Sequence, residues 1–232
     1  MSEAQTNNSA VKMQNAVLID LDYAVLQAMK PQIQASCEML SKAGVILDEF
    51  QFLKIFAGKN LEQRLNFLAQ SEQKALNASV LATEISDKMG KVTLGLLSDS
   101  KKQLSVLVSL LKKDRQTLVG ILSALPEEIL REQLGDLIDE NVNVFSEPQI
   151  VIGGFSWENW RRLSRKLQIR ERMTVAIIGS GVSTKSALAA GMHVIVRPDP
   201  MLEYQDFSGA DSLVQTFDES IASIVDRLLR RE

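Results

Sequence analysis

The sequence predicts an α/β protein, a parallel sheet covered on both faces by helices, with a run of helices inserted after the first strand. Three observations carry this. Apolar runs of strand length alternate with amphipathic segments of helix length from Thr117 onward. The stretch 16–26, AVLIDLDYAVL, opens with four apolar residues that run straight into Asp20, the pattern of a short buried strand delivering a carboxylate to the sheet edge. Between that strand and the next, residues 28 to about 89 read as helix throughout. A chain of 232 residues with 45% hydrophobic composition has enough apolar material for a full core.

In chain order, Ile33, Cys37 and Leu40 share a helical face that Gly44 ends, with Pro31 tolerable in the first turn. Asp48 reads as the N-cap of a helix through Phe52 and Phe56 that stops at Gly58. Asn60 caps the next, with Leu61, Leu65 and Leu68 on one face, and Ser71 opens another through Leu76, Val80 and Met89. Ser98 is a cap for a helix with Leu104, Leu107, Val108 and Leu111 in a stripe. Residues 117–122 form the second strand, closed by Ser123, and Pro126 starts a helix through Leu130, Leu134 and Leu137. Short strands follow at 142–145 and 149–152. Ser156 precedes a helix whose face is Trp157, Trp160, Leu163 and Leu167. Further strands fall at 174–178, 192–196 and 213–216, and Asp218 caps a last helix with Ile221, Ile224, Val225 and Leu228 facing inward.

Bulk properties exclude several classes. A net charge of -3 and a pI of 5.4 supply no electrostatic ground for a nucleic acid or an anionic membrane as partner. Cys37, the single cysteine, has no internal disulfide partner, and the single histidine, His193, makes no histidine-based metal site. Residues 1–14 are polar, without the apolar segment of a secretory signal, and read as a disordered tail. No run approaches the ~18 apolar residues of a membrane span. A soluble, cytoplasmic protein is expected.

Asp22 follows Asp20 in the loop beyond the first strand. Open α/β sheets bind ligands outside the carboxyl ends of their strands, so two acids there either serve chemistry or cap the loop. Ser123 occupies the equivalent end of the second strand, where a serine also serves as a local turn or cap.

The 16–26 stretch resembles the first motif of the haloacid dehalogenase-like superfamily, an apolar strand ending in DxDx(T/V), commonly DLDGTL or DLDGVL; Tyr23 and Ala24 stand here in place of Gly-Thr. The resemblance runs to the chain's end and is to the phosphatase and β-phosphoglucomutase-like subfamily. It implies a three-layer Rossmann-like core over 15–27 and 94–232 and an inserted all-α, four-helix cap over 28–93. It implies further that Asp20 is the nucleophile position, which forms an aspartyl-phosphate, and Asp22 the general acid and base. Ser123 matches the second motif, which holds phosphate. The loop Ala57-Gly58-Lys59-Asn60 falls where such caps carry a specificity loop; Lys59 there is either a cationic tip over an anionic substrate or a solvated surface lysine.

The later motifs depart from the family. Its lysine, usually in KPxP, corresponds to Gly154 in GGFSWENW. Its GDSxxGIxAAxxAGM becomes IGSGVSTKSALAAGM over 178–192, which puts Gly179 at the metal-binding acid and Ser180 at the serine; a shift of one residue puts Ser180 at the acid. Either way no carboxylate remains, so Asp20 and Asp22 are left to hold magnesium weakly or not at all. Arg161, Arg162, Arg165 and Lys166 lie opposite the tryptophan stripe as a solvated basic face, and Asp199 and Asp206 lie in a later loop from which they could approach the site. Tyr23, where glycine is usual, adds bulk beside the acids.

Losing one preorganised electrostatic contact of this kind costs ~10²- to 10³-fold in rate. The expected function is therefore a degenerate family member, a pseudoenzyme that binds a phosphorylated small molecule or a protein partner. The alternative is an active phosphomonoesterase or phosphosugar mutase-like enzyme, with charge supplied by Lys59, the arginine helix or Asp199. A true dehalogenase is disfavoured, because Asp22 occupies the place of that branch's tyrosine. The cap and the Leu-rich segment 101–111 are candidate surfaces for a homodimer.

Overall fold

The computed structural model describes residues 15–71, 76–112, 117–147 and 152–230. The expected tail over 1–14 and most of the expected strand at 149–152 lie outside them. Six strands form one parallel sheet: β1 (Asn15–Asp20), β2 (Thr117–Ser123), β3 (Val142–Ser146), β4 (Thr174–Ile178), β5 (His193–Val196) and β6 (Ser212–Leu213), in the order β3-β2-β1-β4-β5-β6. Strand β1 is central, flanked by β2 and β4. The chain winds outward first on one side of it and then on the other, so the crevice at the carboxyl end of β1 and β4 is the topological switch point.

Eight α-helices accompany the sheet among the described residues: α1 (Met29–Lys42), α2 (Glu49–Phe56), α3 (Leu61–Ser71), α4 (Ala78–Leu111), α5 (Glu127–Leu134), α6 (Trp157–Leu167), α7 (Gly181–Ala189) and α8 (Ser220–Leu229). The period-2 alternation of strand side chains sorts the core into layers. Val17, Ile19, Val119, Ile121, Val175 and Ile177 face one side, against Leu104 and Leu107 of α4, Leu130 of α5 and Val225 of α8. Leu18, Leu122, Ala176 and Ile178 face the other, against Trp160 and Leu163 of α6 and Ala187 of α7. A separate cluster binds α1, α2, α3 and the first half of α4 around Ile33, Phe52, Phe56, Leu65 and Ile85. This is a three-layer α/β core with a helical insert after β1.

Several local expectations hold in detail. Asp48 and Gln51 form a reciprocal capping box at α2, Asn60 accepts from Gln63 N at 2.9 Å, and Ser156 with Asn159 forms a second box at α6. Others are corrected. Ser71 ends α3, and Asn77 caps the following helix through Val80 N at 3.2 Å. Ser98 starts nothing, because α4 runs unbroken for 34 residues, its first half in the insert cluster and its second half on the sheet. Trp157, expected inward, is 44% exposed beneath Arg161, while Trp160 is fully buried. Ile152 makes an isolated parallel bridge to Ala57.

Candidate functional site

β1 ends at Asp20, and the chain turns at once through a tight π-helical turn, Leu21–Val25, every residue of which is buried. Asp20 caps this turn, its Oδ1 accepting from Tyr23 N at 3.2 Å. Arg197, at the end of β5, donates from Nη1 to the Ala24 carbonyl at 2.7 Å, so the far end of the turn is held as well. Gln27 then adopts a left-handed conformation, φ 50°, which swings the chain out of the core and into α1.

The acid pair belongs to this turn, Asp20 as its cap and Asp22 as its second residue. Asp22 Oδ1 accepts from Ser123 Oγ at 2.6 Å and Oδ2 accepts from Ala124 N at 3.0 Å. Ser123 Oγ in turn accepts from Leu125 N at 3.1 Å. The ends of β1 and β2 are thereby stitched together through Asp22. Asp20 and Asp22 are both 0% exposed. Burial pushes Asp22 up to about 6, against the two hydrogen bonds it accepts. Burial raises Asp20 well above the usual carboxylate range, and the Asp22 and Asp199 charges add to the effect. Its Oδ2 is a buried oxygen with no hydrogen-bond partner.

The two glycines at departed motif positions are enclosed. A Cβ on Gly179 would overlap the Tyr23 carbonyl and lie 2.6 Å from Ala24 N. The turn after β1 therefore occupies the space that any side chain at 179 would need. A Cβ on Gly154 would meet Ser183 Oγ at 2.9 Å and Val182 Cβ at 3.0 Å, tighter than side chains ordinarily pack. Ser180 is buried and caps α7, accepting from Ser183 N at 3.1 Å. Tyr23 is fully buried; its ring joins the insert cluster and its hydroxyl donates to Gln32 Oε1 at 3.1 Å.

Other candidates lie apart from the pair. Lys59 is exposed, and its loop is held by backbone, Gly58 N donating to Ile152 O at 2.8 Å and Ile152 N to Lys59 O at 3.1 Å. Arg162 and Lys166 both pair with Glu147, a buried carboxylate that also accepts from Asn159 Nδ2 at 2.9 Å, and Arg161 faces Glu171 at 3.5 Å. Arg165 is exposed on the same helix. The basic face is thus partly engaged in anchoring α6 to the end of β3. Asp206 is exposed and pairs with Lys185 at 3.2 Å. Asp199 does approach the site, close enough to act on Asp20, but its Oδ2 accepts from Met29 N and its Oδ1 from Met201 N, both at 3.0 Å.

No protein-family model matches the sequence, and no match was found among the curated proteins. Solved structures do match. CbbY from Rhodobacter sphaeroides, in complex with phosphate, superposes with a TM-score of 0.69 at 17% identity, over 92% of this chain and 100% of that one. The fold is that of the haloacid dehalogenase-like proteins. β-Phosphoglucomutase from Clostridium difficile gives a TM-score of 0.66 at 15% identity, over 94% of this chain and 100% of its own. A HAD hydrolase of family IA, variant 3, from Entamoeba histolytica gives 0.67 at 18%, over 93% and 99%.

The haloacid dehalogenase-like fold raises the question of magnesium, and the donor set does not fit it. Magnesium takes near-octahedral oxygen ligation, with one or two carboxylates and substrate phosphate as the usual anchors. Each oxygen of Asp22 and of Asp199 accepts one hydrogen bond, which orients these carboxylates toward backbone and Ser123, and position 179 has no room for an acid. Among the described residues no group of three metal-ligating side chains converges.

Sequence reasoning missed Gln32, Thr93, Arg197 and Glu147. Gln32 Nε2 donates to Thr93 Oγ1 at 2.8 Å, and Thr93 Oγ1 donates to Met89 O at 3.0 Å, so a buried polar chain runs from Tyr23 to α4. Its only signal was a glutamine and a threonine on helix faces that are otherwise apolar.

Proposed function

We propose that this chain is a haloacid dehalogenase-like protein without phosphatase chemistry, which acts by binding a ligand or a protein partner. The observation that carries the reading is at Gly179, whose Cβ position is filled by the Tyr23 backbone. Attack by a carboxylate on a phosphate dianion needs positive charge to offset the repulsion. The residue matched to the family lysine is a hemmed-in glycine, and the two positions that could match the metal acid are Gly179, which has no room for a side chain, and Ser180, which has no carboxylate and caps α7.

One observation favours a second reading, an active phosphomonoesterase or phosphosugar mutase-like enzyme working through an aspartyl-phosphate. Asp20 Oδ2 is unpartnered, as an attacking oxygen would be, and Asp22 at about 6 suits a general acid and base. Hydrolysis of p-nitrophenyl phosphate with magnesium, by wild type and Asp20→Asn, separates the two. The first reading expects no turnover above buffer in either protein and no magnesium binding heat. Magnesium-dependent turnover that Asp20→Asn abolishes would overturn it. Cytoplasmic residence and homodimer formation belong to the same proposal, and sedimentation of the purified chain tests the second.

A further inference from the structure

Between the helical insert and the sheet lies a cavity of about 220 Å³, walled by α1, α3 and α4 on one side and by Ala124, Leu125 and Ile152 on the other. It is smaller than the ~300–1,000 Å³ pockets that hold drug-sized ligands. Its apolar walls are Leu61, Met89, Leu125 and Ile152, and its buried polar groups are Gln32 and Thr93. Among the described residues no lysine, arginine or histidine lines it. Beyond the Ala124 amide lies the Asp22 carboxylate, which that amide already serves. Among the described residues a phosphate in this cavity would therefore find no cation to pair with, and a carboxylate behind the wall.

Gln32 is the group that gives the cavity specificity. It is 3% exposed, its Oε1 takes one hydrogen bond from Tyr23 and its Nε2 gives one to Thr93. A carboxamide offers two donors and two acceptor sites, so one N–H and one lone pair remain for an occupant. Gly90, in the interior of α4, keeps the wall open. A Cβ there would meet Leu125 Cδ2 only at 4.0 Å, an ordinary contact, so packing alone does not demand glycine at a position where it weakens a helix.

We infer that this cavity is a binding site for a small uncharged molecule with an apolar body and one amide-like group, held by the spare donor and acceptor of Gln32. The inference rests on the non-catalytic reading and narrows its ligand from phosphorylated compounds to neutral ones. Benzamide is the probe, with phenyl phosphate as its charged counterpart of similar bulk. In methyl-resolved NMR titrations, benzamide at millimolar concentration is expected to shift the methyl signals of Leu61, Met89, Leu125 and Ile152, and phenyl phosphate is not. Gly90→Leu, which adds a branched side chain at a lining position with room for its Cβ, is expected to weaken benzamide at least tenfold, and Gly90→Ala less. Absence of benzamide shifts, equal benzamide binding by Gly90→Leu, or equal shifts from phenyl phosphate would overturn the inference alone. Magnesium-dependent release of phosphate from phenyl phosphate in the same samples would overturn the non-catalytic reading and this inference with it.

Discussion

At the scale of residues, the site turns on what one backbone turn excludes. Gly179→Asp is expected to cost about 3 kcal/mol or more, because its Cβ meets backbone and not a movable side-chain tip, and to confer no magnesium binding. Urea unfolding with and without magnesium checks both. Asp22 makes a pH signature. Its carboxyl lies at about 6 in the fold against 3.8 unfolded, so the stability it contributes is full below about 3.8 and is lost as pH rises through about 6. By pH 7.5 the ionised form costs ~3 kcal/mol relative to acid conditions. Asp22→Asn is therefore expected to raise Tm at pH 7.5 relative to wild type and to change it little at pH 4; an equal difference at both values would show that burial is not what governs this carboxyl. Tyr23→Phe leaves Gln32 Oε1 without its donor inside the protein, and a loss of about 1–2 kcal/mol is expected in the same unfolding measurement. Asp20 and Ser123 could be found in the sequence because each ends an apolar strand, and Asp22 because it lies two residues beyond the first. Gln32 and Thr93 could not, since their partners lie on other elements and only packing brings those elements together.

At the scale of elements, α4 decides the arrangement. Its 34 residues carry two apolar faces in succession, Leu81, Ile85 and Met89 against the insert, then Leu104, Leu107 and Leu111 against the sheet. Ser98 looked like a cap because serine commonly is one, yet a serine on the solvent side of a helix is tolerated where burial on both sides of it holds the helix together. Gly90→Ala is expected to stabilise the protein by ~1 kcal/mol, since helix propensity rises and the added methyl meets nothing closer than van der Waals contact. A melting temperature unchanged or lowered would mean that the cavity needs its open wall for reasons beyond ligand access. The N-cap Asp48 and the position of Ser156 ahead of α6 were legible in the sequence because a cap is local, while the structure adds that each closes a box, with Gln51 and Asn159.

At the scale of the molecule, insert and core are joined by more than the chain connections. Ile152 is held by two backbone hydrogen bonds, its carbonyl accepting from Gly58 N and its amide donating to Lys59 O, Asp199 holds the start of α1, and Tyr23 carries the turn after β1 into the insert cluster. Urea unfolding followed by tryptophan fluorescence, which reports α6 in the core, and by far-ultraviolet circular dichroism, which weights the insert helices, is expected to give coincident transitions. A helical signal lost first would mean the insert opens independently. The sequence by itself determined the parallel α/β architecture, the helical insert, the placing of Asp20, Asp22 and Ser123 at strand ends, and the absence of an acid or lysine at 179 and 154, because strand alternation, helical periodicity and residue identity are local facts. Only the tertiary structure decided that the turn after β1 fills the side-chain space at Gly179, that Glu147 draws in Arg162 and Lys166, and that Asp199 caps the start of α1. Each depends on which distant backbone comes within a few ångströms, and that distance is set by the packing of whole elements.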